Sequence, residues 1–502
     1  MFKTPKFWLI SVFVVALVIR FLYFPDNVNF AYDQARDSFA SLEILKGNLK
    51  IIGPPTTASD KIFHGALVYY IWAPIYFLSN HNPETVAAVM RVFNALGVFS
   101  VFYIAKNLFN PAVGLISAFL YAISFEQSQY SLFFGHPSLG VTAAMIFYFG
   151  LALWFFKQKP IGFIVALFGL GLTIQFEDAN ALLVLSAVAF SAIFYPKVRF
   201  TSIKTVLLGL ASFCVVLSTF ILAELKYNFR SSQAVFEQVF SHNSNLNVTQ
   251  LGKVLVRFSH DNFISYSIFP VLVLSALTLF FVILVRKKDL RFKMLFLLVW
   301  LLGGLLPHVL NSNFTYYYSP AATVSLLILM AFLLYQLFNR WKILAIAVII
   351  FITLSNISLT VSQNKKGPNS DIVIQPGMLT YQQKKVLDYI YQTISPQPFS
   401  VSAITVPLNI NTTWSYLFEW YGWQKYGYLP VWGSEAASGF YGNLKVETAR
   451  SDLPKLRFLI IEPTVGIEGY IVSDFIKHEN YFSKVIDEKK FGTIVVQHRQ
   501  QI

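Results

Sequence analysis

Two carboxylates and a guanidinium fall within one short stretch, Asp33-Gln34-Ala35-Arg36-Asp37. On a helix, residues four apart share a face, so Asp33 and Asp37 would point the same way with Arg36 beside them. A carboxylate so placed can take the proton of an acceptor hydroxyl, and a guanidinium fork can hold an anion. The plainer reading is a solvated helix start with a local ion pair, and composition by itself favours it. Further along, Lys61-Ile62-Phe63-His64-Gly65 puts cationic side chains directly before an apolar run. Lys61 could meet a lipid phosphate there, or simply snorkel from the edge of a bilayer. These two readings weigh equally.

Arg20 and Arg91 sit within apolar runs, near one end of each. Ionisable residues in such runs are costly and often functional, although snorkelling explains each one alone. Glu126-Gln127-Ser128-Gln129-Tyr130 leads to His136-Pro137-Ser138. His136 could bind a metal or a sugar hydroxyl, but a lone histidine is more often a hydrogen-bonded loop residue. Gln175, Glu177 and Asp178 crowd one short turn, and Glu224, Lys226 and Arg230 open a long loop. Either set could line a cavity, with ordinary helix-end charges as the alternative. Within Tyr316-Tyr317-Tyr318, Tyr317 could stack on a sugar, and an aromatic belt explains the run equally well. A Gly-rich phosphate loop, HExxH and GxSxG are all absent from the sequence. An enzyme built on these residues therefore needs a donor other than a soluble nucleotide.

The elements that must position these residues are membrane spans. The chain has 502 residues, of which 55% are hydrophobic and 13% charged, against about 25% charged in soluble proteins. Its 50 Phe and 26 Tyr suit membrane cores and aromatic belts. The net charge of +14 does not indicate nucleic acid, because Lys and Arg cluster in short loops between apolar runs. The single cysteine, Cys214, excludes an intrachain disulfide and a thiolate metal site.

A span needs roughly 17–25 apolar residues. The runs are Phe7–Phe24, Val86–Leu108, Ala112–Phe125, Leu139–Phe156, Ile161–Ile174, Ala181–Tyr195, Val206–Ala223, Phe263–Val285, Met294–Leu310, Ala321–Phe338 and Ile343–Leu359. They predict about eleven transmembrane helices. A further run, Ala66–Leu78, decides the parity of every later loop. Lys106, Lys157, Lys204, Lys288 and Lys342 share the cytoplasmic side with Lys6 only if this run does not cross. It is therefore read as an interfacial or re-entrant helix. The N-terminus is then cytoplasmic and the long loops lie outside, so the chemistry is sought on the outer face. After Ser362 Pro, Gly and charge return, with helix predicted at Thr380–Ile394 and Thr412–Tyr426. Strands are predicted at Phe399–Val406, Arg457–Ile461 and Gly492–His498. The expected organisation is an all-α polytopic membrane module, residues 1–361, followed by a small α/β extracytoplasmic domain, residues 362–502.

These features together resemble the GT-C superfamily of lipid-linked-sugar transferases, in particular the protein O-mannosyltransferases and the bacterial lipid A aminoarabinose transferases. The resemblance lies in the layout of residues 7–361: one span, an acidic outer loop, an interfacial helix, then a basic-ended second span. Asp33-Gln34-Ala35-Arg36-Asp37 is similar to the family's Asp-Glu-x-Arg motif, with Gln34 in place of Glu. His64-Gly65-Ala66-Leu67-Val68-Tyr69-Tyr70 is similar to Gly-Pro-Leu-Tyr-Tyr-Tyr, and Arg91 matches an arginine that opens the second span. His136-Pro137-Ser138 resembles a segment where relatives carry Asp or Asn. Gly171 to Glu177 resembles a Gly…Gln-x-His motif with Glu177 replacing the histidine, and Glu224-Leu225-Lys226-Tyr227-Asn228-Phe229 resembles Glu-Leu-Arg-His.

The resemblance implies inverting transfer of a hexosyl or pentosyl group from a polyprenyl-phosphate sugar. The acceptor would be a glycan, lipid or protein on the outer face of the plasma membrane. In that reading Asp33 is the base, with Asp37 in support. Arg36, Lys61, His64 and Arg91 meet the donor phosphate, and Glu126, His136, Gln175, Glu177, Glu224 and Tyr317 line the substrate. A divalent metal ion, if used, would be held by Asp33 and His136. Three rivals remain at this stage, one of them a non-catalytic structural membrane protein for which the acidic first loop is incidental. A transporter or flippase calls for repeated halves, which the sequence lacks. A lipid-linked polysaccharide polymerase or ligase would share the outer-face site.

Overall fold

The computed structural model describes residues 5–56, 61–194, 202–241, 248–310, 319, 322–394 and 396–502. In chain order, the first helices are α1 (Pro5–Arg20), α2 (Tyr32–Leu45), α3 (Leu67–Leu78), α4 (Pro83–Leu108), α5 (Pro111–Ile123), α6 (Phe125–Leu132), α7 (His136–Lys157) and α8 (Ile161–Phe176). A 3₁₀ turn (Asp178–Leu182) leads to α9 (Leu183–Phe194), α10 (Ile203–Val216), α11 (Ser218–Lys226), α12 (Arg230–Ser241) and α13 (Val248–Asn262). Then come α14 (Phe269–Val285), α15 (Lys288–Leu310), α16 (Ala322–Arg340) and α17 (Lys342–Gln363). The remaining chain forms α18 (Thr380–Ile394), β1 (Phe399–Ile404), α19 (Thr412–Leu417), α20 (Trp423–Tyr426), β2 (Val431–Trp432), β3 (Leu456–Ile461), α21 (Gly469–Asn480), β4 (Ser483–Phe491) and β5 (Ile494–Gln501).

Five of these helices, α4, α7, α15, α16 and α17, are long and apolar enough to cross a bilayer. The pair α10–α11, bent by 64°, is a sixth if taken as one broken span. At 1.5 Å per residue the 26 residues of α4 reach about 39 Å, beyond the ~30 Å hydrocarbon core. Helices α3, α5, α8 and α14 and the stretch Asp178–Phe194 are apolar but shorter. The expected apolar runs are thus helical over most of their described length, though not all reach the length of a span. The 12 residues of α3 cover only about 18 Å.

The chain forms two compact units. The first comprises Met1–Leu22, Lys50–Val68 and Ala88–Asn364, and the second Tyr23–Leu49, Tyr69–Ala87 and Lys365–Ile502.

In the first unit, α7 and α8 form a hairpin whose backbones touch. A side chain on Gly150 would meet the backbone of Ala166, and one on Gly169 would meet the backbone of Phe147. Small residues allow this approach where no hydrophobic drive separates helix from lipid. The hairpin returns the end of α8 to the start of α7, so Glu177 comes back beside His136. Local caps fix the neighbouring starts. Asn110 accepts the Val113 N–H at 2.9 Å ahead of α5, with Pro111 in the first turn, and Ser124 accepts the Gln127 N–H at 3.1 Å ahead of α6.

In the second unit a five-stranded sheet has the order β2-β1-β3-β5-β4, parallel among β2, β1 and β3 and antiparallel beyond. Helix α18 buries Val386, Leu387, Ile390 and Tyr391, the apolar stripe from which it was predicted. The segment leading into α2 is strapped to the start of α18. Phe30 N–H donates to Met378 O at 2.7 Å, Thr380 N–H to Val28 O at 2.9 Å, and the Gln383 amide to Phe30 O at 2.7 Å. These bonds join the loop after α1 to the chain after α17. The predicted helix Thr412–Tyr426 is present but interrupted by one π turn, Phe418–Gly422.

Candidate active site

Helix α2 is set by its first residues. Ala31, extended, precedes the helix, and the Gln34 side chain reaches back to accept the Ala31 N–H at 3.1 Å, half of a capping box. Arg36 then donates from Nη1 to Asp33 Oδ1 and from Nε to Asp37 Oδ1, each at 2.8 Å. Burial opposes the charge on Arg36, but Asp37 and Asp33 more than offset it and hold the guanidinium well above its ordinary pKa. The two carboxylates differ in access. Asp37 has 3% of its side chain exposed and lies 3.4 Å from the Tyr69 hydroxyl, whereas Asp33 has 35% exposed. Asp33 Oδ2 accepts no hydrogen bond among the described residues. Burial, with Asp37 close by, pushes the Tyr69 phenol well above its usual pKa, so it stays a donor. The Tyr32 ring lies under the Arg36 guanidinium, 5.5 Å from its centroid. The back of α2 is fixed by Ser38 against the Tyr76 hydroxyl at 2.5 Å and by Phe39 against the ring of Tyr416.

A second cluster lies in the first unit. The chain folds back on itself between residues 53 and 64, with Gly53 N–H to His64 O at 3.0 Å and His64 N–H to Pro54 O at 2.9 Å. Gly65 N–H donates to Gln175 O at 3.0 Å, and a side chain on Gly65 would collide with Gln175. This contact requires glycine and delivers His64 to the 175–178 turn. The His64 and His136 rings lie 3.9 Å apart, and the two histidines and Glu177 offer ligand atoms all within 4.8 Å of one another, in a buried setting. His64 Nδ1 stands 3.0 Å from Asp178 Oδ1, and His136 Nδ1 is 2.8 Å from Phe176 O. Metal-binding histidines are usually oriented by such a partner on the other ring nitrogen. Burial, then the neighbouring Asp178, raises Glu177 well above the usual carboxylate pKa, and its Oε2 is buried without a hydrogen bond. A buried, unsatisfied carboxylate beside two oriented imidazoles fits a divalent cation of the zinc type. Among the described residues this is the one group with ligating spacing; His136 is a member of it and Asp33 is not.

The other anticipated residues are distributed as follows. Arg91 is buried, and its Nη1 donates to Arg20 O at 3.0 Å, the last carbonyl of α1. Arg20 in turn donates to Tyr121 O at 3.0 Å, at the end of α5, and to Asn94 at 2.9 Å. Both arginines therefore act as helix C-caps. Glu126 is buried, accepts the Asn262 amide at 2.6 Å, and has its carboxyl pushed up to about 7 by burial. The Gln175 amide donates to Val216 O and to Thr219. Glu224 is half-buried at the end of α11 and accepts the Ser232 N–H at 3.3 Å. Lys61 is exposed, and Tyr317 lies outside the described residues. Sequence reasoning missed the structural duty of Gln34 and the asparagines Asn262 and Asn356. Asn356, within an apolar run, donates to Asn262 O at 3.1 Å. An amide at that depth is itself the signal that would have found it.

Residues 64–222 match the family described as dolichyl-phosphate-mannose-protein mannosyltransferase. No curated protein sequence matches the chain. Among solved structures, ArnT from Cupriavidus metallidurans bound to undecaprenyl phosphate superposes with a TM-score of 0.65 at 10% identity, over 99% of this chain and 98% of that one. The arabinofuranosyltransferase AftD from Mycobacteria gives a TM-score of 0.51 at 13% identity, over 99% of this chain and 41% of that one. At these identities the likeness is one of fold. In sequence over residues 64–222, and in fold over nearly its whole length, the chain resembles the GT-C superfamily of lipid-linked-sugar glycosyltransferases.

Proposed function

We propose that this protein transfers a hexosyl or pentosyl group from a polyprenyl-phosphate sugar to an acceptor on the outer face of the plasma membrane, with Asp33 as the general base. The acceptor would be a glycan, lipid or protein. The observation that carries the reading is the Asp33–Arg36–Asp37 arrangement, in which one carboxylate is buried and the other keeps an oxygen open. The ArnT-like fold and the mannosyltransferase match over residues 64–222 support it. ArnT was solved with undecaprenyl phosphate, a lipid phosphate of the class proposed here. Residues 1–361 form the transferase module, its shorter apolar helices completing spans with their polar flanks, and residues 362–502 lie outside.

The reaction is a direct displacement with inversion. The acceptor oxygen bonds to the anomeric carbon, the carbon–phosphate oxygen bond breaks, and its electron pair leaves with the lipid phosphate. The acceptor proton passes to the Asp33 carboxylate. A phosphate leaving group is a weak base and needs charge more than an acid. Arg36 and Lys61 are the cations assigned to it. His64, His136 and Glu177 would hold a divalent cation, which when bound supplies Lewis-acid charge stabilisation. Glu126 and Gln175 belong to the substrate lining.

Purified chain in proteoliposomes, given a polyprenyl-phosphate sugar and an outer-envelope acceptor fraction, tests this. Asp33→Asn keeps size and polarity but removes the base. Transfer should fall roughly 10²–10⁴-fold while donor binding is retained. Full activity in that variant would remove Asp33 from the role, and failure of wild-type chain to bind any lipid-linked sugar would end the reading.

A further inference from the structure

Helix α3 is apolar on both faces. Tyr69, Trp72, Ala73 and Tyr76 are buried, whereas Pro74, Phe77 and Leu78, spaced i, i+3, i+4, form an exposed stripe. Phe77 is 71% and Leu78 83% exposed, with no polar side chain between them. Helix α3 ends at Leu78, and α4, long enough to cross the bilayer, begins at Pro83. The turn between them therefore lies at a membrane surface.

Two hydrogen bonds fasten the C-terminal residues onto this same turn. The Tyr416 hydroxyl donates to His81 O at 2.7 Å, and the Gln424 amide donates to Asn80 O at 3.0 Å. Trp423, adjacent to Gln424, is 54% exposed. The nearby cations are already paired, Lys46 with Glu43 at 2.9 Å and Lys425 with Asp388 at 2.8 Å, so the surroundings are close to neutral. An indole, apolar in body with one polar N–H, is most stable at the boundary between headgroups and acyl chains.

We propose that Trp423 and the Pro74–Phe77–Leu78 stripe form one lipid-contacting edge, through which the C-terminal residues are moored to the bilayer surface. The occupant is the headgroup–acyl boundary of the membrane, and an uncharged lipid surface suffices. The proposal does not depend on the transfer reaction.

The test uses the full chain in phosphatidylcholine nanodiscs. In a Cys214→Ser background, Trp423→Cys carries a polarity-sensitive fluorophore, with Lys484→Cys on the exposed edge strand β4 as the reference. Nitroxide on the lipid acyl chains should quench the label at 423 and spare the one at 484. Aqueous iodide should quench 423 several-fold less than 484. Equal iodide quenching at the two sites, or protection of 423 from both quenchers, overturns the proposal. A carbene-forming phospholipid applied to the unsubstituted chain gives a readout free of folding artefacts. Cross-links on the peptide holding Trp423 are expected, and their confinement to the spans and α3 overturns it. Loss of the 423 quenching unless anionic lipid is added would likewise contradict the neutral surface proposed.

Discussion

His64 and His136 lie ring against ring, 3.9 Å between centroids and 36° between planes, both buried. Asp178 stands on the Nδ1 side of His64 and the Phe176 carbonyl on the Nδ1 side of His136, and with Glu177 the two rings offer ligand atoms within 4.8 Å of one another to a third party.

That third party is expected to be a divalent cation. His136→Ala and Glu177→Gln should each abolish tight zinc binding by the purified chain, measured as metal retained after dialysis. Asp178→Asn replaces no ligand but alters the support of His64 and the charge beside Glu177, and should weaken binding about 10–100-fold. Stoichiometric zinc in His136→Ala would show that these residues are not ligands.

Asp37 and Asp33 should separate by assay. Asp37→Asn leaves the part-buried Arg36 with one carboxylate instead of two, and should destabilise by about 1–3 kcal/mol, read as a lowered melting temperature. Its effect on transfer should be smaller than that of Asp33→Asn. The reverse ranking in rate would move the base to Asp37.

Gly65→Ala places a methyl group against the Gln175 side chain and carbonyl. The loop holding His64 must then shift away from the 175–178 turn. Zinc retention should fall with no ligand replaced, while Gly469→Ala, a control at a glycine with open space and no positive φ, should leave it unchanged.

Glu462 gives a pH dependence that can be checked by thermal melts. It follows β3 and accepts from Trp414 Nε1 at 2.9 Å, the Gln375 amide at 2.7 Å and Val406 N–H at 2.9 Å. Burial nevertheless pushes its carboxyl from 4.5 up to about 7. Between those values the folded state keeps a proton that the unfolded state has lost, so stability falls as pH rises through that window and the loss is complete above it. Glu462→Gln removes this term. Relative to wild type it should gain up to about 3 kcal/mol between the two ends of the window. A constant difference across that range would contradict the assignment.

The apolar runs were legible because such stretches have few other uses, though only five of the described helices reach the length of a span, and α18 announced itself by its period. Strand β4 did not. Its residues Lys484 to Lys490 are exposed on an edge, so neither alternation nor an apolar run marks it. The acidic motif was legible as chemistry on one helix face, and α2 confirms that placement. The cluster of His64, His136 and Glu177 was only half legible. His136 could be named from its loop, but its partners His64 and Glu177 lie dozens of residues away on either side, joined by a glycine contact that spacing cannot reveal. Arg20 and Arg91 stood out for their cost in an apolar run, and the structure gives them backbone carbonyls to hold.

The strap between Val28–Phe30 and Met378–Gln383 has a consequence for biogenesis. The stretch that sets the start of α2 finds its backbone partners some 350 residues later in the chain. During synthesis the loop after α1 must therefore wait, unfinished, while the intervening helices are made. A ribosome that stops before residue 378 releases a chain in which α2 keeps its contacts with Tyr69 and Tyr76 but lacks this strap, so the order of translation itself delays the final seating of α2 until the protein is nearly complete.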